Sequence, residues 1–158
     1  MRIRRIEASD DPWVAEVIRT VMPEIGAGGE GFAIHDLEVD HMSVSYAPPR
    51  AGYWVIEREG RILGGGGFAQ LVSGPEGVCE LRKMYFLPEL RGLGLGKQLL
   101  DMILREAKGA GYRQCYLETL ASLTPAITLY RQFGFEPLSA PMGATGHFGC
   151  NAWFLREL

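Results

Sequence analysis

Between Cys79 and Lys108 the pattern of apolar and polar positions changes period within a few residues. Cys79–Phe86 (CELRKMYF) sets apolar and aromatic residues among charges and suits a strand, and Leu87–Leu90 holds a proline that breaks it. From Leu95 to Lys108 the apolar residues Leu95, Leu99, Met102, Ile103 and Ala107 fall on one face of a helix. Upstream, Met1–Ala8 alternates and suits a first strand. Ser9 or Asp10 can cap a helix with Pro12 in its first turn, and Trp13, Val14, Val17, Ile18 and Val21 form its apolar face to about Met22. Pro23–Gly31 is a glycine-rich break, and Asp36–Tyr46 is a weaker second helix ended by Pro48-Pro49. Tyr53–Glu57 and Arg61–Leu71 pair as strands around a turn at Glu59-Gly60. Gly64–Gly67 interrupts the second of them, which calls for a bulge or close backbone packing.

After the helix ending near Lys108, Gly109 and Gly111 supply a stop, and Tyr112–Thr119 is a further strand. Thr124–Phe133 is a short helix, Phe135–Leu138 begins a strand, Ser139–Gly149 is a flexible loop and Cys150–Arg156 is the last strand. The order β-α-α-β-β-β-α-β-α-β-β mixes antiparallel hairpins with a βαβ crossover, which is α+β rather than doubly wound. No linker or repeat divides residues 1–158, so one domain is expected.

Composition narrows the function classes. A hydrophobic fraction of 47% with 22% charged residues is ordinary for a soluble globular protein. The net charge of −3 argues against a nucleic-acid partner, which would need a basic face. The charged start MRIRRIEASDD is unlike a signal peptide, and no apolar run approaches the ~20 residues that span a membrane. Cys79, Cys115 and Cys150 are an odd number without close pairs, which suits free thiols in a reducing cytoplasm. His147 and Cys150 have no Cys-x-x-Cys beside them, so no metal is expected.

The chemistry points to Arg91–Lys97, a glycine-rich loop between a strand and a helix N-terminus. Gly92, Gly94 and Gly96 let backbone approach an anion, and the free N–H groups of the first helical turn face it. A P-loop would need Gly where Arg91 stands and Ser or Thr where Gln98 stands. A dinucleotide fingerprint would need its third glycine at Lys97. What fits is Arg91-x-x-Gly94-x-Gly96, which resembles the pyrophosphate-binding signature of the GNAT superfamily of acyl-CoA-dependent N-acyltransferases. Leu129-Tyr130-Arg131-Gln132-Phe133-Gly134-Phe135 also resembles that family's downstream Leu-Tyr-x-x-x-Gly-Phe element, and the element order matches along essentially the whole chain.

The resemblance implies the GNAT fold, a mixed and mostly antiparallel sheet with a splayed central strand pair and helices on both faces. It implies acetyl-CoA as co-substrate, held by Arg91, Gly92, Leu93, Gly94, Leu95, Gly96 and Lys97. Its arm would run along Met84, Tyr85 and Phe86, where a backbone N–H would face the thioester oxygen. Many relatives carry Asn early in the last helix; here that contact falls to Thr124. An alkylammonium must lose a proton before it attacks. Glu80, 11 residues before Arg91, is the base expected by resemblance, and a strand glutamate paired with Arg82 or Lys83 is the other reading. Tyr130 is the acid expected for the leaving thiolate, and a core aromatic is its other reading. No cysteine sits in a nucleophile motif, so direct attack on the thioester is expected rather than a covalent enzyme intermediate. The acceptor is expected to be a small-molecule amine, with a protein amine, a longer acyl group, a non-catalytic acyl-CoA-binding role and a homodimer left open. Pro23–His35, Asp36–Tyr46 and Ser139–Gly149 would build the acceptor side, with His35, Asp36, Tyr46 and His147 as polar groups.

Overall fold

The computed structural model describes all 158 residues. Seven strands form one sheet: β1 (Arg2–Arg5), β2 (Gly52–Arg58), β3 (Arg61–Gln70), β4 (Val78–Phe86), β5 (Gln114–Thr119), β6 (Glu136–Leu138) and β7 (Ala152–Glu157). They lie in the order β1-β2-β3-β4-β5-β7-β6, and only β4 and β5 run parallel. This is the mixed, mostly antiparallel sheet that the sequence led us to expect. The β2–β3 hairpin turns at Glu59 and Gly60, both with φ positive (53° and 80°), the conformation of a two-residue turn that matches strand twist.

Four helices cover the sheet: α1 (Asp11–Glu24), α2 (Met42–Ser45), α3 (Leu95–Gly109) and α4 (Thr124–Gln132). One face packs α1 and residues 27–46 against Tyr53, Val55 and Ile62. The other packs α3 and α4 against Trp54, Ile56, Phe68, Cys79, Leu81, Cys115 and Leu117. Leu95, Leu99, Ile103 and Ala107 of α3 are buried as their spacing predicted, whereas Trp13 of α1 stays 55% exposed. No helix is long and apolar enough to cross a membrane.

The expected helix over Asp36–Tyr46 is a correction. The segment is two 3-10 turns, Ala33–His35 and Leu37–Asp40, followed by the single turn α2. Its apolar residues Val39, Met42 and Tyr46 are buried at near-helical spacing. A short polar segment cannot meet the cost of helix nucleation alone. Here Asp36 and Glu38 are drawn out to Lys83 of the sheet, which holds the backbone open.

Two irregularities in β4 create the working part of the fold. Gly65 faces Tyr85 and Gly67 faces Arg82, so Lys83 and Met84 together oppose Gly66. This bulge carries Lys83 at φ 50° and shifts the alternation by one residue. Before it, Glu80 and Arg82 face the α1 side. After it, Lys83 and Tyr85 face that side, while Met84 and Phe86 join the α3 side. The glycines of β3 admit close neighbours on both sides: a Cβ on Gly64 would lie 2.5 Å from the Phe86 ring of β4, and one on Gly67 would lie 2.2 Å from the Gly52 carbonyl oxygen of β2. The second irregularity is a splay. β4 and β5 pair only at Val78/Gln114, Cys79/Cys115 and Glu80/Tyr116, and beyond that point β5 keeps pairing with β7 instead.

Candidate active site

The splay opens a cavity of about 470 Å³ between the free ends of β4 and β5. Met84, Tyr85 and Phe86 line one wall, Leu117, Glu118 and Thr119 the other, and Leu129 and Tyr130 of α4 close it from the side. Arg91, Gly92, Gly94 and Gly96 form its rim, so the glycine loop and the opened strand share one space. Gly92 and Gly94 have φ of 77° and 76°, and Gly94 caps α3. A Cβ on either would meet nothing within 4 Å, so the loop backbone faces open space. The rim thus offers backbone N–H groups at a helix N-terminus, which suit an anionic group, beside a mostly apolar wall.

Arg91 is fastened to the protein itself. Its guanidinium donates to the Phe86 carbonyl at 3.0 and 3.2 Å and to Glu24 at 2.9 Å, which clasps the loop to the end of β4 and to α1. Leu95 is buried in the core, Leu93 is half exposed, and Lys97 points to solvent. Leu93, Lys97 and Thr124 do not line the cavity. Thr124 is exposed at the first position of α4, with its carbonyl accepting from Thr128, and Pro125 and Ala126 face the cavity in its stead.

Tyr130 lines the cavity, with its ring edge-on to Phe135 at 5.9 Å. Its hydroxyl has no hydrogen-bond partner, and burial pushes the phenol up to about 12. It therefore stays protonated at neutral pH, as a donor must. The Tyr130 ring packs against the core, and the residue lines the cavity.

A second cavity of about 580 Å³ adjoins the first, and Glu80, Arg82 and His147 line both. Its wall is polar: Asp36, Glu38, His41, Ser45 and Thr145 surround it. Glu80 is only 3% exposed and accepts from Arg82 Nε at 2.6 Å. Arg82 also donates to the Gln70 carbonyl at 3.0 Å. The Lys83 side chain, 1% exposed, donates to Asp36 at 2.7 Å and to Glu38, which in turn accepts from the Tyr46 hydroxyl at 2.6 Å. His147 Nε2 lies 3.0 Å from both Asp36 oxygens. Burial alone would lower the His147 imidazole, but Asp36 outweighs it and holds the pKa above the ordinary value. Burial likewise works against the Asp36 carboxylate, and His147 and Lys83 hold it below the usual range.

The structure thus brings Glu80, Asp36 and His147 to one polar wall, buries Tyr46 behind it on Glu38, and leaves His35 at the surface, bonded to the Gly28 carbonyl at 3.1 Å. Glu80 sits in the ion pair with Arg82 that was its other reading. Sequence reasoning did not single out Glu38, Glu118 and Thr145. Glu118 was within reach, since β5 alternation puts it two positions beyond Tyr116, the neighbour of Glu80, on the same face.

A strand pair opened over a glycine-capped helix is an architecture known from other proteins. The profile of the Acetyltransferase (GNAT) family matches residues 21–135. The uncharacterized N-acetyltransferase YjgM of Escherichia coli (strain K12) is 44% identical over 157 residues, covering 99% of this chain and 94% of that protein. An acetyltransferase of the GNAT family from Staphylococcus aureus MU50 superposes with a TM-score of 0.83 at 21% identity, over 99% of this chain and 98% of that one. The putative acetyltransferase yncA from Salmonella typhimurium, solved with its cofactor acetyl-CoA, gives a TM-score of 0.75 at 20% identity over 100% and 94% of the two chains. The chain belongs to the GNAT family, and its activity class is that of an acetyl-CoA-dependent N-acetyltransferase.

Proposed function

We propose that this enzyme moves the acetyl group of acetyl-CoA to a primary amine of a small molecule by direct attack on the thioester. The observation that carries the reading is the junction of two cavities at Glu80, Arg82 and His147, one running to the glycine loop and the other lined by polar side chains. The co-substrate occupies the first, with its pyrophosphate on the backbone N–H groups of the loop from Arg91 and its arm along Met84–Phe86. The acceptor enters through the second. There a polar, carboxylate-rich wall suits an ammonium, and Glu80, held by Arg82, carries negative charge beside it. Once the amine is neutral, its lone pair attacks the thioester carbon. The C–S bond then breaks, sulfur leaves with the electron pair and takes a proton from Tyr130, and the second proton that the attacking nitrogen sheds as the amide forms restores Tyr130. The three free thiols support a cytoplasmic setting.

The test is consumption of acetyl-CoA across a panel of amino acids, polyamines, aminoglycosides and peptides. Turnover with a small primary amine supports the reading. Tight CoA binding with no consumption anywhere in the panel would instead make the chain an acyl-CoA-binding domain.

A further inference from the structure

We propose that the acceptor is a monoamine with an apolar body and no carboxylate beside its ammonium, an aralkyl or branched alkyl amine in class, and that Leu37 and Val72 select it. This deepens the acetyltransferase reading above and rests on it. Leu37 and Val72 are the apolar residues in the lining of the acceptor cavity, and they are 95% and 49% exposed. Polar neighbours hold both in place. Asp36 and Glu38 turn inward to Lys83, so Leu37 between them is turned outward. The Val72 carbonyl accepts from the Ala144 N–H at 2.8 Å, which fixes it near Thr145 at the same cavity. A single exposed leucine is ordinary surface. Two apolar residues fixed at the mouth of one cavity offer a contact to the molecule that enters it.

The charged lining has little left to give to a second polar group of the acceptor. Glu80 is bound to Arg82 at 2.6 Å, and Arg82 also donates to the Gln70 carbonyl. Asp36 serves Lys83 and His147, and Glu38 serves Lys83 and Tyr46. The Thr145 hydroxyl donates to Glu118 at 2.5 Å. Charge sets the same limit. The carboxylates of Asp36, Glu38 and Glu80 are matched by Arg82, Lys83 and the His147 imidazolium that Asp36 holds. Glu118, which lines the adjoining cavity, is then the one carboxylate at the junction without a cationic partner, and a single ammonium balances it.

Three classes of amine separate on this count. A polyamine brings a second cation that finds no free carboxylate, so the water it sheds is not replaced. A free amino acid brings a carboxylate, and Arg82, Lys83 and His147 are already paired. An amine with an apolar body brings one charge and a group that covers Leu37 and Val72, which removes apolar surface from water. The reach is short, because Asp36 touches His147 at the junction and Leu37 is its neighbour in the chain.

The experiment measures kcat/KM at pH 7, with saturating acetyl-CoA, for phenethylamine, isopentylamine, phenylalanine and spermidine on wild type, Leu37→Ser and Leu37→Met. Phenethylamine and isopentylamine should exceed phenylalanine and spermidine at least tenfold, about 1.4 kcal/mol. Leu37→Ser should raise KM for phenethylamine about 3–10-fold, with little change for spermidine, and Leu37→Met should restore it. An unchanged Tm and CoA affinity in Leu37→Ser separate this from a folding defect. Spermidine or phenylalanine as the better acceptor overturns the proposal while leaving the chain an acetyltransferase, and so does an unchanged KM for phenethylamine in Leu37→Ser. A second measurement needs no turnover: calorimetric titration of phenethylammonium and of spermidine into the protein–CoA complex. Tighter binding of phenethylammonium, weakened by Leu37→Ser, supports the acceptor class even if no amine is acetylated. Equal or tighter binding of spermidine sinks it, as does no binding of phenethylammonium.

Discussion

Lys83→Met tests the polar wall through its most buried cation. The Lys83 side chain is 1% exposed and serves Asp36 and Glu38 at once, whose side chains are 27% and 21% exposed. Met keeps most of the length and removes the charge. Stranding a buried partner costs about 3–5 kcal/mol, but both carboxylates reach some solvent and each keeps other partners, so about 2–3 kcal/mol is expected. Asp36 retains His147, and Glu38 retains Tyr46 and the more distant Arg82. At this chain length each kcal/mol moves Tm by about 2–4 °C, which gives a drop of about 4–12 °C. The assay is thermal unfolding by circular dichroism at pH 7. The deficit should shrink in acid as protonation of Asp36, still held low by His147, removes uncompensated charge. Replacing Lys83, Asp36 and Glu38 together by Met, Asn and Gln should recover part of the loss. A Tm within 1 °C of wild type at pH 7, or a triple variant no more stable than the single one, would refute the reasoning.

Gly94→Asp should weaken CoA binding at least tenfold, about 1.4 kcal/mol, in calorimetric titration of folded protein. Its Cβ meets no neighbour, so like charge beside pyrophosphate and the strain of φ 76° carry the effect. Tyr130→Phe should lower turnover by about 10²–10⁴-fold under conditions where chemistry limits the rate, with CoA affinity unchanged; normal turnover would leave Tyr130 as packing alone. His147→Gln should destabilise most between about pH 4 and 6.5. Asp36, held low, contributes stability that is lost as pH falls through its folded pKa. His147, held high, contributes stability that is lost as pH rises through its own. Urea unfolding at pH 5.5 and pH 9 checks this, and an equal deficit at both would remove the charged pair from the account.

The loop, the strand order and the surface that α3 buries were legible because each is a local pattern. Glycine spacing, period-3.6 repeats and turn residues act over a few positions and mark the loop and its helix, and the family resemblance added Met84–Phe86 beside the same co-substrate. The bulge was half legible: Gly64–Gly67 announced an irregularity in β3, but nothing there says that the extra residue lies on β4 at Lys83. What was not legible depends on pairing across long stretches of chain. Lys83 meets Asp36 and Glu38, 47 and 45 residues away, and that tether replaced the expected helix over Asp36–Tyr46. Arg82 was foreseen only as one of two partners for Glu80. Choosing between it and Lys83 required knowing that the bulge turns Lys83 toward the 36–38 segment and leaves Arg82 beside Glu80.

The bulge also explains how one strand lines two cavities of unlike character. Under strict alternation Lys83 would share a face with Cys79 and Leu81, in the apolar core against α3, where a charge has no partner. Met84 would then face the α1 side with Glu80 and Arg82. Inserting one residue turns Lys83 to the acidic 36–38 segment and returns Met84 and Phe86 to the side of α3, where the Phe86 ring lies 3.4 Å from the position of a Cβ on Gly96. The apolar wall therefore ends at the glycine loop, and the charged wall ends at Glu80, Arg82 and His147. Gly64 and Gly66 suit this arrangement, because a Cβ on Gly64 would collide with the Phe86 ring at 2.5 Å and one on Gly66 would crowd Met84 at 3.1 Å. Their loss of backbone entropy on folding, roughly 0.5–1 kcal/mol for each glycine relative to alanine, is the stability given up for a strand that faces both ways.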